Sequence, residues 1–267
     1  MDKIIGFIGG GNMASAIIGG ILQSGLAAKE QIIATAKTEH TLTSLRERFG
    51  ITAIADNQQA ASQSDILFLA VKPYLFSEII SQVKDCIRPE TLIISIAAGQ
   101  TMEKIETLFG KDVKLVRAMP NTPALVGEAM SALCTNQNIT ETELADAMAI
   151  FNSFGKCETV PETMMDTVIG VSGSSPAYVY LFIEAMADAA VADGMPRAQA
   201  YKFAAQSVLG AAKMVLETGT HPGALKDAVC SPGGTTIEAV AVLEQQGLRS
   251  AVISAQRACV QKSKDMT

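Results

Sequence analysis

The chain has 267 residues, 48% of them hydrophobic, and 21 Lys plus Arg against 27 Asp plus Glu, a formal net charge of −6. That length accommodates one large domain or two modest ones, with apolar residues enough for a sizeable core. The acidic balance, with no basic run and no low-complexity segment, argues against a protein whose main work is gripping nucleic acid or an anionic membrane.

In chain order, the first part alternates strand and helix patterns. Lys3 to Ile8 is a short apolar run entered within a few residues of the N-terminus, which leaves no room for a signal peptide and points to the cytoplasm. Glycines follow, then a helical stretch from Met13 to Gln23 ending near Gly25. Ile32 to Thr35 reads as a second strand, and a polar helix from about Thr38 to Phe49 stops at Gly50. Further apolar runs are Asp65 to Val71, halted by Lys72-Pro73, Thr91 to Ala98, ended by Gly99, and Lys114 to Met119, ended by Pro120. Continuous apolar runs separated by helices read as a buried parallel sheet. Two more strands, near Ala129 to Cys134 and Lys156 to Val160, finish this part, with a helix from about Glu141 to Phe154 between them.

After Pro161 the strand patterns stop. The uncharged run Thr167 to Ile183 contains Gly170, Gly173 and Pro176, and suits a loop and a helix start better than a membrane span. Pro176 to Asp193 reads as one helix, with Gly194 beyond its end and Pro196 opening the next, which runs to about Thr218. Shorter helices follow over Pro222 to Val229, Thr235 to Gln245 and Arg249 to Lys262. So small and apolar a helical region is hard to satisfy alone, and is expected to bury itself against a second copy of the chain. The fold class is therefore α/β: a Rossmann-like doubly wound sheet over 1–161, then an all-α dimerisation domain over 162–267.

The five cysteines (Cys86, Cys134, Cys157, Cys230, Cys259) are scattered and odd in number, which fits a reduced compartment. With only His40 and His221, a histidine-rich metal site is excluded, and no metal is expected.

Gly9-Gly10-Gly11-Asn12-Met13-Ala14 follows one strand, opens a helix and precedes a second strand, the context a dinucleotide-binding turn requires. Gly9 allows the tight turn, Gly11 lets the backbone approach a pyrophosphate, and Ala14 keeps the helix near the strand. An ordinary strand–helix turn is the competing reading. At the end of the second strand an NAD site carries Asp or Glu; here Ala34-Thr35-Ala36-Lys37 offers a hydroxyl and a cation, which suit the 2′-phosphate of NADPH, NADH being the alternative. Glu39 competes but fits the first turn of the following helix. Two later strand ends, Ala70-Val71-Lys72-Pro73 and Ala97-Ala98-Gly99, fall where open α/β sheets bind ligands. Met119-Pro120-Asn121-Thr122-Pro123 reads as a rigid loop beside the nicotinamide or as a plain turn. In the helical part, Ser231-Pro232-Gly233-Gly234-Thr235-Thr236 precedes a helix and presents N–H groups and hydroxyls suited to a carboxylate. Its plain reading is a helix capped by Thr235 or Thr236.

Together these segments, with Ser172 to Tyr178 and His221-Pro222, resemble the pyrroline-5-carboxylate reductase family over essentially the whole chain. The resemblance implies reduction of Δ1-pyrroline-5-carboxylate to L-proline, the last step of proline synthesis, by a homodimer interlocked through its helical domain, with rings of dimers common. It also implies dinucleotide contacts at Gly9, Gly10, Gly11, Asn12, Met13, Thr35, Lys37, Asn57, Ala70, Val71, Lys72, Pro73, Ala97 and Ala98. Substrate contacts fall on Ser231, Gly233, Gly234, Thr235 and Thr236 of the partner subunit, with Thr236 as the catalytic candidate. One departure is visible: Ser175 stands where the family pattern Ser-Gly-Ser-Gly-Pro-Ala has glycine, so either that position is unstrained or the loop differs. Two other functions compete. A 3-hydroxyacid dehydrogenase would use Lys213, but Glu217 occupies the position of its expected asparagine. A non-enzymatic NADP(H) sensor would not need the Ser231 to Thr236 segment.

Overall fold

The computed structural model describes residues 1–266, which form two compact units: Met1–Ser174 together with the segment from Cys259 onward, and Ser175–Ala258. The first compact unit extends to Ser174 because the short helical turns after Pro161 pack on its sheet through Met165, beside Met119, Ala132 and Cys134.

The first unit is built on one eight-stranded sheet, with strands β1 (Ile5–Ile8), β2 (Ile32–Thr35), β3 (Thr52–Ile54), β4 (Ile66–Leu69), β5 (Leu92–Ser95), β6 (Lys114–Met119), β7 (Ala129–Thr135) and β8 (Gly155–Thr159). Their spatial order is β3-β2-β1-β4-β5-β6-β7-β8. The order reverses between β1 and β4, the switch point at which doubly wound sheets bind dinucleotides. β1 to β6 are mutually parallel. β7 departs from the expected parallel sheet and runs antiparallel to β6. The connection from Met119 to Ala129 is a single 3-10 turn, Thr122–Val126, too short for the dozen or more residues of a parallel crossover. β3 is three residues long and only partly buried, and its pattern is too short to announce itself.

Alternation along the buried strands feeds two cores. Ile5 and Phe7 of β1, Ile66 and Phe68 of β4, and Leu92 and Ile94 of β5 face helix α1 (Asn12–Gln23) and helix α6 (Glu141–Asn152). Ile8, Leu67, Leu69 and Ile93 face the opposite layer, which holds α3 (Asn57–Gln63), α4 (Phe76–Val83) and α5 (Met102–Phe109). Phe7 and Phe68 stack at 4.7 Å, and Phe151 of α6 joins Phe68 at 6.1 Å. Helix starts follow local chemistry: Thr38 accepts the Thr41 N–H at the head of α2 (Glu39–Phe49), Asp56 accepts two N–H groups of α3, and Thr140 with Glu143 forms a reciprocal capping box on α6.

After β8, helix α7 (Met165–Val168) passes directly into a π-helical turn over Ile169–Gly173. The run expected to be a loop is thus helical. Ser175 opens α8 (Ser175–Ala192), and no described non-glycine residue has positive φ, so the serine in place of glycine is unstrained. The second unit contains α8, α9 (Arg197–Thr218), α10 (Pro222–Val229), α11 (Thr235–Gln245) and most of α12 (Leu248–Lys264). Its buried apolar residues are few, among them Ala187, Ala200 and Ala204, while Leu181, Phe203 and Leu216 are 68%, 62% and 83% exposed. Apolar exposure on this scale is more than a self-contained soluble unit ordinarily leaves uncovered. Among the described residues, no helix is long and apolar enough to cross a membrane.

Candidate active site

The carboxyl ends of β1, β2, β4 and β5 meet at the switch point. Gly9 has φ +103°, and a Cβ there would lie 2.6 Å from the Ala70 carbonyl oxygen and 3.0 Å from Val71 Cγ1. The turn after β1 and the turn after β4 therefore touch backbone to backbone. A Cβ on Gly10 would lie 2.5 Å from Leu45 Cδ1, so α2 closes the other side. Gly11 has nothing within 4 Å of its Cβ position. It is the N-cap of α1, extended at φ −76°, with no side chain capping the helix. An uncapped helix N-terminus behind an open glycine is a ready anion site. These residues fit a dinucleotide: a Cβ would fill the cradle at Gly9 and Gly10, and free space lies over Gly11.

Thr35 is 2% exposed, and its Oγ1 accepts the Gly9 N–H at 3.2 Å. Its side chain therefore holds the glycine turn from beneath, which corrects the expectation of a hydroxyl turned toward a 2′-phosphate. Lys37 is exposed two residues beyond β2. Glu39 sits in the first turn of α2 and binds Arg46 Nη1 at 2.7 Å, as its helical position implied. Asn57 opens α3, and its Nδ2 donates to Gln82 Oε1 of α4 at 3.0 Å. Lys72, exposed, precedes the turn Pro73–Leu75. Ala97 is buried and Ala98 exposed in the loop between β5 and α5. Asn121 joins two segments: its Nδ2 donates to the Ser172 carbonyl at 2.9 Å, and its Oδ1 accepts the Met130 N–H at 3.0 Å. These two bonds tie the Met119 to Pro123 loop to both segments.

Beneath the β5 and β6 ends lies an ion pair that residue patterns do not signal. The Arg117 side chain is 3% exposed, and its Nη1 donates to Glu162 Oε1 at 2.7 Å. The same oxygen accepts the Met102 N–H at 2.8 Å, placing a carboxylate at the N-terminus of α5. Arg117 Nε and the neighbouring Ser95 Oγ are buried without a partner. Cys134 pairs with Arg117 across β6 and β7, and its thiol is pushed up to about 12 by burial first, then by the Glu162 carboxylate, with Arg117 opposing. It is an inert apolar thiol, not a nucleophile.

In the second unit, the Ser231 to Thr236 segment makes a tight turn in which the Gly234 N–H donates to the Ser231 carbonyl at 3.0 Å and Gly233 has φ +66°. Gly234 is the N-cap of α11, and no side chain caps that helix. Thr235 and Thr236 lie inside the first turn, so neither is the cap, and the plain reading of the motif fails. The first-turn N–H groups of α11 have no capping side chain, an arrangement suited to a carboxylate. His221 is spent differently: its Nδ1 accepts the Gly223 N–H at the head of α10. Lys213 pairs with Glu217 at 3.3 Å on a surface of α9 where both side chains are about two-thirds exposed. It is an i,i+4 surface pair, which removes the dehydrogenase reading of Lys213.

Comparison with known proteins agrees with both halves. A family model described as pyrroline-5-carboxylate reductase dimerisation matches residues 162–266, and one described as coenzyme F420-dependent NADP oxidoreductase matches residues 4–99. The chain is 52% identical to the pyrroline-5-carboxylate reductase of Escherichia coli (strain K12), over 100% of this chain and 99% of the relative. The chain belongs to the pyrroline-5-carboxylate reductase family. The enzyme of that name from Coxiella burnetii superposes with TM-score 0.94 at 36% identity, covering 100% of this chain and 99% of the other. The Plasmodium falciparum pyrroline carboxylate reductase with NADP bound superposes at 0.89 and 34%, covering 99% and 98%.

Proposed function

We propose that this chain reduces Δ1-pyrroline-5-carboxylate to L-proline, the last step of proline biosynthesis, with NADPH as preferred reductant. The observation carrying the reading is the pair of uncapped, glycine-led helix N-termini in a family member: α1 suited to a dinucleotide pyrophosphate and α11 suited to a small carboxylate. Residues 1–161 serve the coenzyme, and residues 162–267 serve dimerisation and the substrate. When bound, the coenzyme supplies the hydride. The protein's share is orientation. Gly9 to Met13 seat the pyrophosphate, Lys37 faces the 2′-phosphate, and Asn57, Ala70 to Pro73, Ala97 and Ala98 line the remainder. Thr35 contributes by fixing the turn. The Ser231 to Thr236 segment, supplied by the partner subunit, binds the substrate carboxylate through backbone N–H groups. Thr236 Oγ1 contacts the imine nitrogen, and water or a protonated substrate brings the proton, since a threonine hydroxyl is a weak acid. The exposed apolar surface of the second unit supports a homodimer, and we extend it to a ring of dimers. We assign the enzyme to the cytoplasm, supported by five free cysteines.

NADPH oxidation followed at 340 nm with pyrroline-5-carboxylate tests the reaction, with 3-hydroxy acids plus NADP⁺ as the contrast; activity with the acids alone overturns it. Thr236→Ala is expected to lower kcat by roughly 10- to 100-fold, what the loss of one hydrogen bond to a charged group in the transition state amounts to. Unchanged kinetics would remove Thr236 from the site. Lys37→Glu is expected to raise KM for NADPH about tenfold while KM for NADH stays within twofold; equal effects on both would place the 2′-phosphate elsewhere.

A further inference from the structure

The segment from Cys259 onward leaves the helical unit and packs with the first one. Cys259 Sγ donates to Ser174 Oγ at 3.2 Å. Ser263 is 7% exposed, and its Oγ donates to Asp166 Oδ1 of α7 at 2.6 Å. Buried polar side chains are as a rule paired, and this bond sets the register of the segment against α7. One helical turn later, Met266 reaches the loop between β5 and α5: a Cβ on Gly99 would lie 3.5 Å from the Met266 carbonyl oxygen and 3.8 Å from its Cβ. Gly99 has φ +70° and follows Ala97-Ala98 directly. The other end of the same loop is held by Glu162 at the Met102 N–H.

The structure assigns a coenzyme-positioning role to the 259–266 segment, with Ser263 as its anchor. Backbone at a strand end that lines a dinucleotide must keep one conformation, or binding has to supply the ordering entropy. The Glu162 brace holds the α5 side of the loop. Met266, located by the Ser263–Asp166 bond, holds Gly99. Loss of the segment frees Ala97-Ala98 without touching any residue that meets the coenzyme. Ser263 is a positioning residue that acts through Met266 on Gly99. The inference rests on the reading that Ala97 and Ala98 line the coenzyme.

The test uses the full-length protein, a form lacking residues 263–267, Ser263→Ala and Ser263→Thr. NADPH affinity is read by fluorescence of the bound coenzyme, and amide exchange is followed at Ala97 to Gln100 in protein without coenzyme. Truncation is expected to raise the NADPH Kd about tenfold, accelerate exchange in that loop and leave KM for the imine within twofold. Ser263→Ala shows a smaller effect in the same direction, and Ser263→Thr restores the parent value because its hydroxyl can still donate. Ser263→Ala also carries the test if the truncated chain does not fold. Unchanged Kd and unchanged exchange overturn the proposal. Ala98→Glu in the intact chain separates the two readings: if it binds NADPH normally, the loop does not line the coenzyme and both fail. If it abolishes binding while truncation leaves Kd unchanged, the positioning role alone fails.

Discussion

Gly9→Ala is expected to raise the NADPH dissociation constant about 100-fold, equivalent to about 2.7 kcal/mol of binding free energy. Two costs combine. The backbone at φ +103° is one that residues with a Cβ rarely adopt, at a cost of order 1–3 kcal/mol. The added carbon also stands 2.6 Å from the Ala70 carbonyl oxygen, a backbone atom that cannot rotate away. Relief moves either the glycine turn or the Ala70-Val71 turn, and both line the crevice. It also strains the hydrogen bond from the Gly9 N–H to Thr35. Gly11→Ala is the control, because Gly11 has open space around its Cβ position and an ordinary extended backbone. That variant should keep its melting temperature within a few degrees and still lose coenzyme affinity, since the new methyl occupies space the pyrophosphate needs. Gly9→Ala should lose both. Coenzyme titration and thermal melts of the two proteins decide it. Undiminished binding by Gly9→Ala would show that the turn is not the pyrophosphate seat, and equal destabilisation in both would show that the φ and close contact at Gly9 are not what the substitution disturbs.

The largest expected effect on stability lies at Glu162. Glu162→Ala leaves the Arg117 guanidinium buried without its carboxylate and takes the acceptor from the Met102 N–H. Breaking a buried pair from one side costs about 3–5 kcal/mol; with Glu162 28% exposed, about 3 kcal/mol is appropriate. For a chain of this size that is a fall of about 6–12 °C in melting temperature. The double variant Arg117→Leu with Glu162→Leu should recover most of the loss, because the charge that needed compensation is gone. Calorimetry of the two singles and the double gives the coupling. If Glu162→Ala melts with the parent, the guanidinium is solvated and the pair is not a structural brace. The expected loss is independent of catalysis, so it is measured without substrate.

Local features of this chain are written in its residue pattern, and long-range ones are not. Strand and helix positions in both units were legible because alternating burial and caps are local: Ile32–Thr35, Lys114–Met119, Pro222–Val229 and Thr235–Gln245 fall where the pattern puts them. The glycine-led turns before α1 and α11 were legible for the same reason, as each is a run of six residues. β3 and the reversal of β7 were not, since three residues carry no period and strand direction follows from the reach of the connection. The inward turn of Thr35, the Asn121 clamp and the buried Arg117 were equally hidden.

By itself, then, the sequence determined the α/β class, the change to an all-helical part after β8, the two glycine-led turns, and through its motifs the reductase family. Those are properties of short stretches, set by backbone freedom, capping and periodicity. Only the tertiary structure decided that Thr35 supports the turn from within, that Glu162 meets Arg117 across 45 residues, and that Ser263 finds Asp166 across 97. Such partners are chosen by where the folded sheet leaves a buried donor or acceptor unpaired, and no local pattern encodes that distance.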